Sequence, residues 1–438
     1  MKDNTKLYKR DIFDAIAAEI GSSYILIITG SRRAGKTSLL KLLQQKIIAE
    51  TTAPGNILFY DLENPVLRES FDNNNYDLVA QYLISQAADP NKRIFVFLDE
   101  VQYLDKPSGL LKYLHDHYEN LKFIVSGSSS LRIKEIFSDS MVGRKRTYRL
   151  FPLNLREFLL FQEKAHLLRL LPKIDLFDKN CTEIIQSLNL LNVTRQELLT
   201  IINEFLIFGG FPEPTLLPDA DEKKTALFEY YGSYIQKDIS YLFSISNIAK
   251  FNKLSKLYAS QIGNLVNFTE ISNTLGMSRQ TIERYSFLQE STFFLTFLPP
   301  FHTNIRKELT RMPKVYFEDI GVRNAVLNNV GRQAVEINPG PLAENYVFNQ
   351  LCKHHGQASI YFWRTTTGQE TDFVLEQQQQ LIPIEVKFRE MKKAALPSGL
   401  RGFIRQYAPE KAIVVTKNFL HVDTFQKTTI LYLPIYLI

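Results

Sequence analysis

The segment "YILIITGSRRAGKTSLLKLLQQ" constrains the fold of this chain more than any other feature. A short apolar run ends at Gly30, a GxxxxGKT loop extends to Thr37, and a helical pattern follows. A strand, a glycine-rich loop and a helix in this order are the context of a phosphate-binding loop, because successive backbone N–H groups can converge on phosphate oxygens. The segment therefore predicts a nucleotide at the edge of a parallel α/β sheet. A glycine-rich turn without a ligand is the alternative, and this context disfavours it.

The length and composition indicate a globular protein of several domains. At about 100–200 residues per domain, 438 residues predict two to four domains. The chain is 45% hydrophobic and 22% charged, with a net charge of +6 that permits an anionic partner but indicates one only weakly. Two isolated cysteines, no signal-peptide pattern and no membrane-length apolar run predict a cytoplasmic protein without a membrane partner.

The periodicity divides the chain into four segments. Residues 1–150 alternate helical patterns with apolar runs such as "RIFVFLDE", which is typical of a parallel sheet covered on both faces. Residues 151–239 are leucine-rich and helical. Residues 240–332 predict a helix-turn-helix followed by a β-wing. Residues 333–438 return to an α/β pattern. The expected fold class is therefore α/β: a P-loop ATPase sheet, a helical lid, a winged helix and a C-terminal α/β domain.

The glycine-rich loop predicts residues that bind ATP. Lys36 can reach the β- and γ-phosphates, and the Thr37 hydroxyl can ligate Mg²⁺. The helix N-terminus adds partial positive charge. The expected nucleotide-binding residues are Gly30, Ser31, Arg32, Arg33, Ala34, Gly35, Lys36, Thr37 and Ser38, with Ser128 from a later strand.

Asp99 and Glu100 end the strand "RIFVFLDE", which predicts two carboxylates at the edge of the sheet where α/β ligands bind. We expect Asp99 to hold Mg²⁺ through water and Glu100 to polarise the attacking water, which together predict ATP hydrolysis. The alternative is that one of them only caps the next helix.

For two further roles in ATP chemistry, the sequence indicates the responsible residues less specifically. Ser126 or Ser128 in "FIVSGSSS" can sense the γ-phosphate, although a loop of small turn-forming residues explains them equally well. Arg144 in "VGRKRTYRL" can stabilise phosphoryl-transfer charge, in its own chain or in a neighbouring subunit. A basic loop facing solvent or nucleic acid is the alternative for Arg144.

Several segments together resemble one family of fused proteins. "GSRRAGKT", "FLDEVQYL", "VSGSSS" and "GRKRTYRLFPLNLREF" resemble prokaryotic AAA-type ATPases of the additional-strand class. "GGFPEP", "KVYFEDIGVRNAV", "GPLAENYVFNQL" and "TDFVLE…PIEVK" resemble the C-terminal domain of unknown function that is fused to them. The resemblance covers nearly the whole chain. It implies an ATPase core, a winged helix and a domain of restriction-endonuclease-like fold, but it does not imply a particular biological role.

The second helix of the predicted helix-turn-helix carries polar side chains that can contact phosphates or base edges in a DNA major groove. They are Ser278, Arg279, Gln280, Thr281 and Arg284. The alternative is that this element only packs domains together or contacts protein.

The C-terminal segment "TDFVLEQQQQLIPIEVKF" predicts a second candidate site. Alternation places Glu385 and Lys387 on one face of a strand, and a hairpin can bring Asp372 beside them. The two carboxylates can hold Mg²⁺, and Lys387 can orient a nucleophile. This D…ExK pattern resembles the metal site of PD-(D/E)xK nucleases, which implies that Glu344 on the preceding helix is a further metal ligand. The alternative is a structural hairpin whose carboxylates pair with basic residues.

From Glu385 to Lys411 the chain has seven Lys or Arg against three Glu, a net charge of +4 that suits a nucleic-acid backbone. The main hypothesis is therefore an ATPase that acts on nucleic acid, with DNA favoured, and whose ATP state controls a metal-dependent nuclease-like domain. The first alternative is a switch whose C-terminal domain only binds DNA or protein. The second is a sensor of a small molecule or peptide. A homo-oligomer is possible for any of them.

Overall fold

Two units make up the part of the chain that the computed structural model describes, which covers residues 6–50, 54–128, 141–178, 180–188, 192–241, 247–301 and 312–438. The N-terminal unit is formed by Met1–Pro152 with Ser291–Phe293. The C-terminal unit is formed by Leu153–Glu290 with Phe294–Ile438.

The N-terminal unit is built on a parallel sheet of order β2-β3-β4-β1-β5. Its strands are β1 (Ile25–Thr29), β2 (Ile57–Asp61), β3 (Ile94–Asp99), β4 (Leu121–Gly127) and β5 (Lys145–Arg149). Its helices are α1 (Phe13–Ala18), α2 (Lys36–Glu50), α3 (Pro65–Glu69), α4 (Tyr76–Gln86) and α5 (Pro107–His117), with 3₁₀ turns at Pro54–Asn56 and Val101–Tyr103. Every residue of β1 and β4 is buried, as expected for a sheet covered on both faces.

The C-terminal unit begins with helices. They are α6 (Leu155–Phe161), α7 (Ala165–Leu170), α8 (Cys181–Ser187), α9 (Asn192–Phe208), α10 (Pro212–Leu216) and α11 (Ala220–Ser233), and a π-helical turn at Tyr234–Tyr241 follows. The single helix that "LNLREFLLFQEKAHLLRLL" suggests is two helices, because Glu163 adopts a left-handed φ of 57° and ends α6. By contrast, α9 occupies the whole predicted segment "NVTRQELLTIINEFLIF".

Three helices and a two-stranded sheet follow. They are α12 (Ile248–Ser260), α13 (Phe268–Leu275), α14 (Arg279–Ser291), β6 (Leu295–Leu298) and β7 (Lys314–Phe317). Gly276 ends α13 with a φ of 60°, and α14 begins three residues later, so two helices joined by a short turn lie in the segment where the sequence predicts a helix-turn-helix. Strands β6 and β7 are antiparallel, and Leu265 adds a bridge to Lys314 on β7.

The last segment contains helices and a six-stranded sheet of order β12-β13-β11-β10-β9-β8. The helices are α15 (Ile320–Val326), α16 (Arg332–Ile337), α17 (Pro339–His355) and α18 (Ser398–Tyr407), with 3₁₀ turns at Gln357–Ser359 and Ile435–Leu437. The strands are β8 (Ile360–Arg364), β9 (Glu370–Gln377), β10 (Gln380–Lys387), β11 (Lys411–Thr416), β12 (His421–Phe425) and β13 (Thr428–Pro434). Glutamines 378 and 379 adopt φ values of 49° and 66°, so "QQQQ" contains the tight turn that joins β9 to β10.

The fold class expected from the sequence is confirmed at this level: an α/β chain with a parallel sheet typical of P-loop ATPases, helical segments and a C-terminal domain that contains a sheet. Strands β12 and β13 lie beyond the elements that the sequence analysis assigned. The part of the predicted wing at residues 302–311 lies outside the described residues.

Two segments that carry the family resemblance contact each other in the C-terminal unit. Asp319 caps α15 by accepting a hydrogen bond from Val322 N (3.0 Å), and it also accepts one from Gly210 N (2.7 Å) in "GGFPEP". Gly209 has a φ of 74°, and a Cβ there would lie 2.1 Å from Asp319 Oδ1. The close approach of these segments therefore requires glycine at position 209.

We expect Gly209→Ala to destabilise the C-terminal unit by about 2–4 kcal/mol, because the substitution adds both backbone strain and a clash with a buried carboxylate. Thermal unfolding followed by the fluorescence of Trp363, the single tryptophan of the chain, measures this unit directly. Gly232→Ala is the matched control, since Gly232 lies within α11 and a Cβ added there would meet no neighbouring group within 4 Å. An unchanged melting temperature for Gly209→Ala would contradict this account.

Candidate functional site

The glycine-rich loop joins β1 to α2 in the N-terminal unit, as the sequence predicts. Arg33 and Gly35 adopt φ values of 60° and 99°, which turn the backbone between strand and helix. A Cβ at Gly30 would lie 2.2 Å from the carbonyl oxygen of Leu150, so this position also has no space for a side chain. The helix begins at Lys36, and its N-terminus therefore faces the loop.

Buried polar groups line the loop. Lys36 Nζ donates to the carbonyl oxygens of Gly30 (3.2 Å) and Ser31 (3.1 Å). The Ser31 side chain is fully buried, and its Oγ has no hydrogen-bond partner within the described residues. A buried hydroxyl without a partner is costly, and a phosphate oxygen is a ligand that would satisfy it. The loop is thus chemically suited to a phosphate group.

Residues outside the glycine-rich loop also form hydrogen bonds with it. Arg10 donates to the carbonyl oxygens of Ala34 (2.9 Å) and Phe151 (2.7 Å), a role that the sequence analysis missed. Arg32 donates to the Tyr103 hydroxyl (3.2 Å). Arg33 and Ser38 are exposed at the surface of the loop and of α2.

Thr37 and Asp99, the two predicted Mg²⁺ ligands of this site, are in contact. Thr37 Oγ1 donates to Asp99 Oδ2 (2.5 Å), and Ser126 Oγ on β4 donates to Asp99 Oδ1. Burial raises the pKa of Asp99 despite these hydrogen bonds. A hydroxyl and a carboxylate are the hard oxygen donors that Mg²⁺ prefers, so the residues fit this ion, and Thr37 and Asp99 would hold it.

Glu100 follows Asp99 in a left-handed conformation, with a φ of 58°. Its Oε1 lies 3.6 Å from Lys36 Nζ, and its Oε2 accepts a hydrogen bond from Gln102 Nε2. Gln102 also donates to Ser128 Oγ (2.9 Å). Burial alone would raise the pKa of Glu100, but Lys36 and Gln102 outweigh it and the pKa is lowered. Glu100 is therefore a carboxylate at neutral pH, as a group that polarises water must be.

Gln102 is a residue that the sequence analysis missed, although it lies within the quoted segment "FLDEVQYL". It is fully buried and links Glu100 to Ser128. Both serines considered as γ-phosphate sensors thus belong to the hydrogen-bond network of this site, Ser126 through Asp99 and Ser128 through Gln102. Ser129 and Ser130 of the same segment lie outside the described residues.

Arg144 does not lie beside the glycine-rich loop of its own chain. Its carbonyl oxygen accepts a hydrogen bond from Ile25 N (2.8 Å), at the start of β1, whereas the loop follows the end of that strand. Its side chain pairs with Asp116 (2.7 Å), and Arg144 together with His115 lowers the pKa of Asp116 to about 2. A role in phosphoryl transfer is therefore restricted to a neighbouring subunit, and it stays a prediction.

The carboxylates of the predicted C-terminal site do come together. The β9–β10 hairpin places Asp372 beside Glu385, and Asp372 Oδ2 accepts a hydrogen bond from Val386 N (2.8 Å). Lys387 Nζ donates to Glu385 Oε1 (2.7 Å). Glu344 lies on α17 and accepts a hydrogen bond from the Tyr316 hydroxyl (2.6 Å).

Lys314 on β7 lies within this group of carboxylates, and the sequence analysis missed it. Its Nζ is 2.6 Å from Glu370 Oε1, 3.3 Å from Glu344 Oε1 and 3.8 Å from Asp372 Oδ1. Its side chain is only 2% exposed. We call Lys314, Glu344, Glu370 and Asp372 the Lys314 cluster. The sequence signal that could have identified Lys314 is a single lysine in the otherwise apolar strand "KVYF".

The neighbouring acidic side chains keep the Lys314 amine protonated, so that the Lys314 cluster has a positive charge at its centre. Burial alone would lower the pKa of Lys314, but Glu344, Asp372 and Glu370 outweigh it and raise this pKa. Burial, followed by the charge of Asp372, raises the pKa values of Glu344 and Glu385. Lys314 is therefore a buried ammonium ion paired with surrounding carboxylates.

These residues do not fit a divalent ion in their present arrangement. Two of the three predicted ligands, Glu344 and Asp372, already lie within 4 Å of the Lys314 ammonium. Within the described ranges, no group of three or more His, Cys, Asp or Glu side chains is arranged to hold a metal ion. Glu385 Oε2 is buried and has no hydrogen-bond partner in this part of the chain. Metal binding by Glu344, Asp372 and Glu385 stays a prediction.

The predicted nucleic-acid residues are mostly exposed. Ser278, Arg279, Gln280 and Arg284 are exposed on or beside α14, whereas Thr281 is half-buried and hydrogen-bonds to Ser278. Arg279 pairs with Glu283 (2.8 Å). A second basic surface, which we call the α18 surface, consists of exposed side chains on α18 and the segment before it: Arg389, Lys392, Lys393, Arg401 and Arg405.

Comparison with known families supports an ATPase domain. Residues 22–159 match a family model described as an AAA domain. Residues 199–333 and 339–436 match two models described as domains of unknown function, DUF8612 and DUF4143. With the loop and Asp99 geometry above, residues 22–159 are an AAA-type P-loop ATPase domain that is followed by a DUF4143 domain.

Similarity over most of the chain extends to proteins of other organisms. An uncharacterized protein from Methanocaldococcus jannaschii is 28% identical over 84% of this chain and 76% of its own length. One from Haemophilus influenzae is 22% identical over 84% of this chain and 83% of its own. The structure of a Walker-type ATPase from Pyrococcus abyssi covers 73% of this chain and 95% of its own, with 14% identity and a TM-score of 0.45.

No helix in the described ranges has the length and apolar character needed to span a membrane.

We expect Gln102→Ala to lower the rate of ATP hydrolysis about tenfold and to leave nucleotide affinity nearly unchanged, because the hydrogen bond to Glu100 contributes about 1.5 kcal/mol or more. Steady-state hydrolysis and equilibrium binding of a fluorescent ATP analogue separate the two effects. Gln81→Ala, at an exposed position on α4, is the control. A loss of affinity with an unchanged rate would show that Gln102 does not position Glu100.

Proposed function

We propose that this chain hydrolyses ATP in its N-terminal unit and uses the ATP state to switch a C-terminal unit that binds nucleic acid, with DNA favoured. The observation that carries the ATPase proposal is the joined network of Lys36, Thr37, Asp99 and Glu100 at one edge of the sheet. The Lys314 cluster favours a binding role for the C-terminal unit over metal-dependent cleavage.

Each residue of the ATP site has a distinct role in this proposal. Bound Mg²⁺ supplies charge neutralisation at the β- and γ-phosphates. The loop amides and Lys36 bind the phosphates, and Thr37 with Asp99 holds the ion. Glu100 orients and polarises the attacking water, and Gln102 fixes the direction of the Glu100 carboxylate. Ser126 and Ser128 connect the end of β4 to both acidic residues, which suits a response to the γ-phosphate.

A homo-oligomer belongs to the proposal because Arg144 lies at the opposite end of β1 from its own loop. Its guanidinium is one-third exposed and paired with Asp116. A neighbouring subunit is therefore the only place where Arg144 can meet a nucleotide in this proposal.

The C-terminal unit contains two surfaces suited to nucleic acid. The first is the winged helix that we propose for residues 240–332. The order of α12, α13, α14, β6 and β7, with the Leu265 bridge, supports this assignment, and the exposed Arg279, Gln280 and Arg284 lie on α14. The α18 surface presents Arg401 and Arg405 one helical turn apart. Both can neutralise phosphates without reading sequence.

The proposed domain boundaries are 1–150, 151–239, 240–332 and 333–438. The family matches support divisions near residues 159 and 333, because the AAA match ends at the first and the DUF8612 match at the second. We assign the last segment a nuclease-like fold because Asp372 and Glu385 lie on adjacent antiparallel strands and Glu344 lies on the preceding helix.

Glu100→Gln is expected to lower ATP hydrolysis by about 100-fold or more while ATP still binds, because the amide cannot act as a base toward water. Lys36→Ala is expected to weaken binding itself. Hydrolysis of ATP and binding of ATP to each variant measure this difference. Wild-type hydrolysis retained by Glu100→Gln would contradict the assigned role of Glu100.

The combined change of Arg401→Ala and Arg405→Ala is expected to weaken DNA binding and to reduce the slope of log K against log salt by about 2, because each phosphate contact contributes about 0.9. Fluorescence anisotropy across a salt series measures the slope. Lys92→Ala with Lys224→Ala removes the same charge from exposed positions on other elements. Equal slopes for both double variants would show that the α18 surface does not contact DNA phosphates. In a separate measurement, ATP hydrolysis that DNA does not change would favour the sensor alternative.

A further inference from the structure

Lys314 lies within 4 Å of Glu344 and Asp372, two of the three predicted metal ligands of the C-terminal unit. Its ammonium group lies within 4 Å of Glu344, Glu370 and Asp372, which come from α17 and β9. We propose that Lys314 is the fixed internal cation of this cluster and takes the place of a metal ion, so that the C-terminal unit does not bind Mg²⁺ or Mn²⁺ there.

Strand pairing on both sides fixes the backbone position of Lys314. Its strand pairs with β6 on one side, and Lys314 itself bridges to Leu265 on the other. The next three residues of β7 are fully buried. The strand pairing and the buried apolar residues therefore fix the backbone position from which the Lys314 side chain enters the cluster.

Strand β7 is also attached to the helix that carries Glu344. The Asn345 side chain accepts a hydrogen bond from Phe317 N (2.9 Å) and donates one to Phe317 O (2.8 Å). Asn349 on the same helix donates to Glu318 O (3.0 Å). These contacts fix Lys314 and Glu344 on elements that are joined by both backbone and side-chain hydrogen bonds.

The charge of the cluster explains why an ammonium ion and a divalent ion exclude each other. A metal ion ligated by Glu344 and Asp372 would lie close to the Lys314 ammonium, in a buried region where like charges repel strongly. Without the ammonium, the largely buried carboxylates of Glu344 and Asp372 lose the cation that lies within 4 Å of them, whereas Glu370 keeps its ion pair with Arg364 (3.0 Å). Together with Glu385 Oε2, which lacks a partner in the described residues, the carboxylates of Glu344 and Asp372 would form an oxygen donor set of the kind that binds Mn²⁺ or Mg²⁺.

This inference deepens the proposed function, since a C-terminal unit without a metal cannot activate water by metal ligation and acts by binding. The test below uses neither nucleotide nor DNA. Its failure is therefore distinguishable from a failure of ATP hydrolysis or of DNA binding.

The experiment is a titration of the full chain with Mn²⁺, with the signal of unbound Mn²⁺ measured by electron paramagnetic resonance. Five proteins are compared: wild type, Lys314→Met, Asp372→Asn, Lys314→Met with Asp372→Asn, and Lys223→Met. Lys223 is the matched control because it is also buried in the C-terminal unit but pairs with Glu204. Melting temperatures followed by Trp363 fluorescence, with and without Mn²⁺, provide a second measurement.

We expect Lys314→Met to gain one Mn²⁺ per chain, bound at least about tenfold more tightly than by wild type, and to lose it when Asp372→Asn is added. Mn²⁺ should raise the melting temperature of Lys314→Met and not that of wild type or Lys223→Met. One Mn²⁺ bound by wild type and lost in Asp372→Asn would overturn the proposal, as would a folded Lys314→Met that gains no ion. If Lys314→Met does not fold, the comparison of wild type with Asp372→Asn still decides whether the cluster takes up metal.

Discussion

The C-terminal unit depends most on the ion pairing between the buried ammonium group of Lys314 and the acidic side chains around it. The ammonium group compensates carboxylates on α17 and β9, and it is carried by a third element, β7. Removal of one member of such a group leaves uncompensated buried charge, which typically costs about 3–5 kcal/mol. In our proposal the same contact determines the chemistry of the unit, because a cation among the acidic side chains takes the place of the ion that a nuclease mechanism requires.

The geometry of the N-terminal site depends on a different constraint: parallel strands end at the same edge of their sheet, so the residues at these ends lie close together. The glycine-rich loop follows β1, Asp99 ends β3 and is followed by Glu100, and Ser126 lies near the end of β4, the strand between β3 and β1. Three separate segments thus deliver polar groups to one place without long loops. Gln102 completes the arrangement by fixing Glu100, so that the acidic pair has one member bonded to Thr37 and the other close to Lys36.

The sequence predicted what local pattern and strand order determine. The parallel sheet of residues 1–150, the position of α2 after the glycine-rich loop and the approach of Asp372 to Glu385 all follow from apolar periodicity and alternation. The sequence did not predict Lys314, because its partners on α17 and β9 lie far from it along the chain and a single lysine in a strand has no periodicity. Arg144 shows the same limit: a basic residue after glycine does not reveal which end of β5 faces the nucleotide.

The central claim is that Lys314, and not a metal ion, compensates the carboxylates of the C-terminal unit. Anomalous diffraction from wild-type crystals grown with Mn²⁺ and a non-hydrolysable ATP analogue tests it most directly, because the Thr37–Asp99 site serves as an internal positive control. The account predicts an anomalous peak beside Thr37 and Asp99, none among Glu344, Asp372 and Glu385, and the Lys314 amine within hydrogen-bond distance of Glu370. An anomalous peak within the Lys314 cluster, with the lysine displaced, would contradict it.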